Sequence, residues 1–209
     1  MAKILTFAQQ KGGSGKTTLL TQLAVALSGP KSRVALIDLD PQKTLTGWMD
    51  ERIRRTGAAD LDLIESSEWR IGVDIGKAAR DAELILIDCP GNADIMLGRV
   101  FRESDMVIVP AQPSAPDVWA TEATLRMAAK EGVDAYVALN RVPPRGGAVE
   151  AMAKRMVEDG ATILQDRVGN RVAFTNAFSQ GAGVTEVAKS SRAAEEIMAL
   201  AKSIKKRLK

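Results

Sequence analysis

The stretch "QQKGGSGKTT", residues 9–18, follows the apolar run "KILTF", residues 3–7, and precedes an amphipathic segment near residues 16–28. A short apolar run is typical of a buried strand, and apolar residues at helical spacing predict a helix. The stretch is therefore predicted to be a glycine-rich loop that joins a strand to a helix. Such a loop either serves only as a turn or binds phosphate. The lysine and threonines at the start of the predicted helix favour phosphate binding.

The residue types in this loop explain how it would hold a nucleotide. Gly12, Gly13 and Gly15 permit a tight turn whose backbone N–H groups point inward, toward phosphate oxygens. A helix that begins near Lys16 adds the positive end of its dipole, and the Lys16 ammonium would reach the β- and γ-phosphates. The Thr17 hydroxyl would ligate Mg²⁺. We therefore expect a nucleotide and Mg²⁺ as ligands.

The rest of the chain repeats the alternation of apolar run and amphipathic segment. This rhythm predicts an α/β fold in which a mostly parallel sheet carries helices on both faces. We expect a single domain over residues 1–209, although the region 55–75 fits neither pattern. The further predicted strands are 33–38, 84–88, 106–110 and 135–140, and the further predicted helices lie near 93–103, 117–131, 147–158 and 184–208.

Polar side chains follow several of these strands. Asp38 and Asp40 come after the second strand, Asp88 ends the apolar run "LILI", and Asn140 follows "AYVAL". Because the carboxyl ends of parallel strands form one edge of a sheet, we expect these side chains to meet the glycine-rich loop. A carboxylate at the end of an apolar run is costly unless it meets a cation or hydrogen-bond donors. Asp88 is therefore predicted to meet a cation or hydrogen-bond donors, the alternative being that it caps the turn that follows.

Composition excludes several classes of site. The 209 residues contain no histidine and one cysteine, Cys89, which removes disulfides, histidine general bases and most transition-metal sites. A net charge of +3 is too small to establish a nucleic-acid partner on its own. The sequence has no signal peptide and no apolar run long enough to span a bilayer, so we expect a cytoplasmic protein.

The loop departs from the strict phosphate-loop pattern, because Gln10 stands where that pattern has a glycine, and it carries a second lysine, Lys11. With these features the chain resembles the deviant Walker A ATPases, specifically their ParA branch, which is related to MinD. Since the first predicted strand begins at Lys3, we expect a small member without an N-terminal helix-turn-helix domain. The motifs that carry the resemblance are "KGGSGKTT" (11–18), "DLDPQ" (38–42), "LILIDCPG" (84–91), "VPAQPS" (109–114) and "ALNR" (138–141).

The resemblance implies a role for each residue of the nucleotide site. Lys11 would reach across a dimer interface to the partner's ATP, the alternative being a solvated loop charge. Asn140 would read adenine with its amide, and Arg141 would lie against the base. The implied catalytic residues are Lys11, Lys16 and Asp40, the implied metal site is Thr17, Asp40 and Asp88, and the implied nucleotide-binding residues are Lys11, Gly12, Gly13, Ser14, Gly15, Lys16, Thr17, Thr18, Asn140 and Arg141.

The C-terminal segment "EEIMALAKSIKKRLK", residues 195–209, has an apolar face and an adjoining basic face at helical spacing. Three hypotheses remain open: the helix packs on the sheet and offers its lysines to DNA, it anchors the protein to a membrane as in MinD, or its cationic face is simply solvated. The apolar face is Ile197, Ala201, Ile204 and Leu208, and the basic face is Lys202, Lys205, Lys206 and Lys209.

The resemblance favours DNA as the partner of this segment. Arg171 and Arg192 fall where the family's DNA-contacting arginines lie, and the last fifteen residues lack the aromatic residues that would favour a membrane anchor. The expected DNA-binding residues are Arg171, Lys189, Arg192, Lys202, Lys205 and Lys206.

The sequence thus predicts an ATPase that forms a homodimer with ATP and binds the nucleoid without sequence preference. Hydrolysis, stimulated by a cargo-linked activator protein that is ParB-like or an adaptor, would partition or position a plasmid, a chromosome region or a large protein assembly. The alternatives are a MinD-like positioning ATPase on a membrane and a metabolic enzyme that uses ATP on a small substrate.

Overall fold

The structure is a computed structural model that describes residues 2–30, 32–91, 94–144 and 147–208. Within these ranges it contains a six-stranded, entirely parallel sheet in the order β3-β2-β4-β1-β5-β6. The strands are β1 Lys3–Phe7, β2 Val34–Asp38, β3 Asp62–Glu65, β4 Leu84–Asp88, β5 Met106–Ala111 and β6 Ala135–Leu139. The helices are α1 Lys16–Leu27, α2 Thr44–Thr56, α3 Ile71–Ala78, α4 Asp94–Arg102, α5 Ala115–Glu131, α6 Ala148–Glu158, α7 Val172–Phe178, α8 Val184–Val187 and α9 Arg192–Arg207.

Two apolar cores lie on opposite faces of the sheet, because successive side chains of a strand point to opposite sides. In β4, Leu84 and Leu86 belong to one core, while Ile85 and Ile87 belong to the other. Helices α1, α2, α7 and α9 contribute to the first core, and α3, α4, α5 and α6 contribute to the second. The predicted parallel sheet with helices on both faces is therefore confirmed.

The region that fitted neither pattern contains three elements. The last turns of α2 end at Gly57, whose positive φ of 78° closes the helix, and β3 and α3 follow. Strand β3 is the edge of the sheet with its side chains only partly buried, so its sequence lacks the apolar run that marks the central strands.

The predicted helix near 184–208 is two helices. Strand-like backbone at Ser191 separates α8 from α9, and the Ser191 hydroxyl accepts a hydrogen bond from the N–H of Ala194 at 3.2 Å to begin α9. A serine at this position favours a new helix start over continuation of the previous helix. Residue 93 of the predicted helix near 93–103, and Lys209 of the basic face, lie outside the described residues.

Candidate nucleotide-binding site

The glycine-rich loop adopts a conformation that requires glycine at two positions. Gly13 and Gly15 have φ values of 79° and 89°, in the left-handed region that other residues rarely adopt. Gly15 also lies against the loop after β6, since a Cβ atom placed on it would come 2.5 Å from Nδ2 of Asn140. Helix α1 begins directly after Gly15 at Lys16, so its N-terminal N–H groups face the loop, as predicted for an anion site.

Asn140 and Arg141, which directly follow β6, hold the loop in place. The Asn140 amide donates to the Ser14 carbonyl oxygen at 2.9 Å, and its Oδ1 accepts from the N–H of Arg141 at 2.9 Å. The Arg141 guanidinium donates to the Gly13 carbonyl oxygen at 3.2 Å, and its backbone has a φ of 51°. Both groups of the Asn140 amide are thus engaged with the protein, so that its role in reading adenine stays a prediction.

A cleft of about 520 Å³ lies over the loop. It brings together residues that the sequence analysis assigned to nucleotide and metal binding from three separate segments, among them Lys16, Thr17, Asp40 and Arg141. Lys16 is largely buried, with an exposed fraction of 8%. Its charge is therefore less screened by water than a surface lysine's, which strengthens its attraction for phosphate.

Thr17 and Asp88 lie side by side at the start of α1 and the end of β4. The Thr17 hydroxyl donates to Oδ2 of Asp88 at 2.6 Å. Burial raises the pKa of Asp88 to about 7 against the lowering effect of this hydrogen bond. The second oxygen, Oδ1, is buried and has no hydrogen-bond partner among the described residues, and such a buried polar atom is costly unless a ligand satisfies it.

These donors fit Mg²⁺, which prefers oxygen ligands and usually keeps waters and substrate phosphates among them. Within the described ranges no cluster of three or more histidine, cysteine or acidic side chains could hold a metal by itself. The protein would therefore supply only a hydroxyl and carboxylates from Thr17, Asp88 and Asp40, with the other ligands coming from phosphate and water.

The loop after β2 is held by Asp38 and presents Asp40. The Asp38 carboxylate accepts from the N–H and hydroxyl of Thr46, at 3.0 and 2.9 Å, and from the N–H of Asp40 at 3.0 Å. Burial raises the pKa of Asp38, and these hydrogen bonds oppose that effect. Among the described residues, the Asp40 carboxylate accepts only the N–H of Gln42, at 2.9 Å, and Asp40 lines the cleft. Asp38 thus anchors the loop, and Asp40 is available to a ligand.

Lys11 is turned toward α5, and it is not among the residues that line the cleft in the described part of the chain. Its Nζ lies 3.3 Å from Oδ2 of Asp117, which is almost fully buried. The same carboxylate accepts the N–H of Gln112 at 3.0 Å and the hydroxyl of Ser114 at 2.6 Å, and the Gln112 amide donates to the Gly13 carbonyl oxygen at 3.0 Å. Sequence analysis did not single out Asp117 or Gln112.

A second cavity of about 240 Å³ adjoins the cleft and shares Thr18 and Arg141 with it. Its lining is mixed, with apolar side chains such as Phe174 and Phe178 beside polar ones such as Asn140. Cavities that hold flat organic groups have this character, apolar walls with a few polar groups that fix orientation. The two spaces together suit a molecule with a polyanionic end and a flat aromatic end.

The predicted DNA-binding residues fall into two groups. Lys202, Lys205 and Lys206 are exposed on α9, and no ion pair within the described residues involves them. Arg171 and Arg192 instead lie beside Glu196, with Arg171 bonded to it at 2.6 Å. Lys189 is exposed in the turn between α8 and α9, and it forms no ion pair with any residue that the structure describes. The basic residues therefore lie in one region, but Arg171 and Arg192 are paired with an acidic side chain and the lysines are not, among the described residues.

The apolar face of α9 is part of the protein core. Ile197, Leu200 and Ile204 have exposed fractions of 0%, and Ala201 is buried with them against α1 and the sheet. Leu208, the last member of the predicted apolar face, is partly buried against the same core. Among the described helices, none is long and apolar enough to cross a bilayer.

Comparison with known proteins places this geometry in context. The family model of the CobQ/CobB/MinD/ParA nucleotide binding domain matches residues 5–207. "Maintenance of carboxysome distribution protein A" of Halothiobacillus neapolitanus is 30% identical over 200 residues, which are 92% of each chain. "Protein ParA" of Rhizobium radiobacter is 27% identical over 187 residues, covering 85% of this chain and 83% of that protein.

The fold is also similar to that of a solved nucleotide complex. The structure of the McdA(D38A)-ATP complex from Cyanothece matches with a TM-score of 0.78 over 99% of this chain and 96% of that one. Its sequence identity is 19%, so this likeness speaks for the fold alone.

Proposed function

The chain belongs to the CobQ/CobB/MinD/ParA family of nucleotide-binding domains, and we propose that it is a ParA-type ATPase that positions or partitions a cargo. It dimerises on ATP, binds DNA without sequence preference, and is reset when ATP is hydrolysed. Three features of the structure support this cycle: the cleft over the glycine-rich loop, the position of Lys11 outside that cleft, and the surface of α9.

ATP binds with its phosphates in the cleft and its base in the adjoining cavity. The glycine-rich loop, the N-terminus of α1 and Lys16 supply the positive electrostatic potential that the triphosphate requires. Thr17 and Asp88 would hold Mg²⁺, and the buried Oδ1 of Asp88, which has no hydrogen-bond partner among the described residues, would gain one. When bound, Mg²⁺ neutralises charge that develops on the phosphate oxygens.

Hydrolysis depends on positioning because the chain has no histidine to act as a general base. Asp40 lies in the cleft, and its Oδ2 accepts no hydrogen bond from the described residues, so that it can orient the attacking water. Lys16, together with Lys11 from the partner protomer, stabilises negative charge in the transition state. Turnover is expected to be slow, and a cargo-linked activator protein raises it.

The observation that carries the DNA-binding proposal is the surface of α9. On its apolar face Ile197, Ala201 and Ile204 are buried in the core and Leu208 is partly buried, which removes the face that an interfacial membrane helix would insert between lipids. The lysines that remain, Lys202, Lys205 and Lys206, are exposed and unpaired among the described residues. Unpaired surface lysines are the groups that neutralise DNA phosphates without reading sequence.

We therefore expect the protein to bind random-sequence duplex DNA when ATP is present, and to lose most of that binding with ADP or without nucleotide. The dimer presents two copies of the lysine surface, whereas the monomer presents one. The logarithm of the binding constant should fall linearly with the logarithm of salt concentration, by about 0.9 for each phosphate neutralised. Fluorescence anisotropy with labelled DNA at several salt concentrations measures both effects.

A matched pair of variants makes this test specific. Lys202→Ala with Lys206→Ala should reduce the salt slope and weaken binding. Lys130→Ala with Lys154→Ala removes the same charge from exposed positions on α5 and α6, on the opposite face of the sheet. This control should leave the salt slope and the DNA affinity unchanged. Equal or absent DNA binding in all three nucleotide states would contradict the proposal, and anionic liposomes would then test the membrane alternative.

The cargo is a plasmid, a chromosome region or a large protein assembly. The relatives support this range, since one is named for carboxysome distribution and another is a ParA protein. We propose a cytoplasmic, nucleoid-associated protein whose homodimer meets an activator carried by the cargo. Local hydrolysis near the cargo then depletes the DNA-bound form and creates the gradient that moves it.

Asp40→Ala should trap the ATP-bound dimer on DNA. The substitution removes the carboxylate that orients water but leaves Lys16 and the loop intact, so ATP binding and dimerisation are expected to persist while phosphate release falls by at least about tenfold. Asp62→Ala, at an exposed position on β3, is the control and should hydrolyse ATP at the normal rate. Normal phosphate release by the Asp40 variant would remove Asp40 from the catalytic residues.

A further inference from the structure

The carboxylate of Glu196, on α9, is surrounded by donors from the loop before α7. Its oxygens accept from the Arg171 guanidinium, Nε to Oε2 at 2.9 Å and Nη2 to Oε1 at 2.6 Å. The N–H of Gly169 also donates to Oε2, at 3.0 Å. Nε of Arg192, one helical turn before Glu196, lies 3.7 Å from Oε1. Burial raises the pKa of Glu196, but the hydrogen bonds and the two positive charges outweigh it and lower the pKa overall.

The pairing of Arg171 with Glu196 has the geometry with which arginine binds phosphate. Two parallel N–H donors of one guanidinium meet two oxygens of one anion, which is the arrangement shared by carboxylate and phosphate partners. The pair lies near the surface, with side-chain exposed fractions of 32% for Arg171 and 16% for Glu196. Arg192 is 76% exposed. A phosphate arriving from solvent can therefore reach both arginines.

The groove around this pair is about 500 Å³ in volume, and the described residues that line it have balanced charge. They include three arginines and three acidic residues, and one of the arginines, Arg167, is already bonded to Glu150 at 3.0 Å. Opposite charges at this spacing cancel much of the field that would attract a polyanion. The charged residues that line the groove are Asp166, Arg167, Arg171, Arg192, Glu195 and Glu196.

We propose that Glu196 is an internal counter-ion that competes with DNA phosphates for Arg171 and Arg192. This inference rests on the proposed DNA-binding function and assigns a residue that limits its strength. In the free protein the carboxylate occupies the place of a phosphate on Arg171, so DNA must displace it before Arg171 contributes, and its charge weakens the attraction of the nearby Arg192 for DNA. This competition keeps DNA binding weak and reversible, and the lysines of α9 make the first contacts with DNA.

The test compares Glu196→Gln with Glu195→Gln. Both remove one negative charge from adjacent positions of the same helix, but Glu195 takes part in no ion pair among the described residues. The probe is random-sequence duplex DNA with ATP, and light scattering checks that each variant dimerises like the wild type. Glu196→Gln should bind about fivefold more tightly and should steepen the salt slope by about 0.9 for each arginine that gains a phosphate. Glu195→Gln should change both far less.

A purely structural role for Glu196 predicts a different result. If the carboxylate served only to hold the Gly169–Arg171 loop, Glu196→Gln would loosen that loop and leave the salt slope unchanged or smaller. In the Arg171→Ala background, most of the gain from Glu196→Gln should disappear, because the main released charge is missing. Should Glu196→Gln fail to fold, Glu196→Asp keeps the charge but shortens the side chain, and a partial gain in affinity is expected.

The outcomes separate this inference from the function on which it rests. If wild type and both glutamine variants bind DNA equally, Glu196 is not a counter-ion, while the DNA-binding function stands. If Glu196→Gln alone binds, the counter-ion role is supported and is stronger than proposed. If none of the proteins binds DNA with ATP, both the DNA partner and the role of Glu196 fall together.

Discussion

Lys16→Ala should abolish ATP binding, with a loss of at least about 100-fold in affinity, because a largely buried ammonium that would face the phosphate oxygens cannot be replaced by water at the same strength. Lys16 lines the cleft together with Thr17 and the loop glycines. Its removal leaves the triphosphate without a lysine in its own cleft, so that only the loop N–H groups, the dipole of α1 and Mg²⁺ would offset its charge. Titration of the variant with a fluorescent ATP analogue measures the change.

The control for this variant is Lys130→Ala, which removes a lysine charge from the exposed end of α5 and should leave ATP affinity unchanged. Circular dichroism distinguishes loss of binding from loss of the fold, since the hydrocarbon part of Lys16 also packs at the start of α1. Unchanged ATP affinity in a folded Lys16→Ala protein would overturn the assignment of the glycine-rich loop as the phosphate site.

Much of this fold could be predicted because its central strands are short apolar runs. Strands β1, β2, β4, β5 and β6 lie within a residue of their predicted bounds, since both of their faces are buried and their sequences are continuously apolar. The elements between residues 44 and 78 were predicted less well than these strands. Helix α2 is rich in polar residues, and its buried side chains include Arg52 beside Trp48 and Met49, so its apolar pattern is weak.

Arg52 illustrates why such a pattern fails. Its guanidinium is buried but bonded to Asp60, to Glu186 and to the Gly181 carbonyl oxygen, and it packs over the Trp48 ring. A charged residue satisfied in this way behaves as part of the core, although its residue type predicts the surface. No local sequence pattern identifies Gly181 and Glu186 as partners, because they lie 129 and 134 residues from Arg52 along the chain.

The same limit applies to the site. Motifs within single loops predicted which segments meet at the carboxyl edge of the sheet, and the cleft brings Lys16, Thr17, Asp40 and Arg141 together. Motifs within single loops could not predict ion pairs between side chains of distant segments. Asp117 and Glu196 each hold a predicted functional cation, Lys11 and Arg171, through contacts that only the folded chain creates.

Lys11→Ala should leave ATP binding by the monomer largely intact but eliminate ATP-dependent dimers. Lys11 is paired with Asp117 and lies outside the residues that line its own cleft, as far as the structure describes them. Its loss should therefore cost little in the monomer. In the dimer it would meet the partner's triphosphate, and the variant leaves that charge without its cross-interface counter-ion. Light scattering with ATP measures the dimer, and the ATP analogue measures monomer binding.

The release of Lys11 from Asp117 is feasible because the carboxylate keeps two other donors. The N–H of Gln112 and the hydroxyl of Ser114 still donate to it when the ammonium leaves. The buried Asp117 carboxylate therefore keeps two hydrogen bonds. Lys3→Ala is the matched control, since Lys3 also pairs with an aspartate, Asp105, at 3.0 Å, but at the opposite end of β1. Its dimers should form normally with ATP. ATP-dependent dimers of Lys11→Ala at wild-type protein concentrations would instead make Lys11 a local partner of Asp117 and exclude the role across the interface.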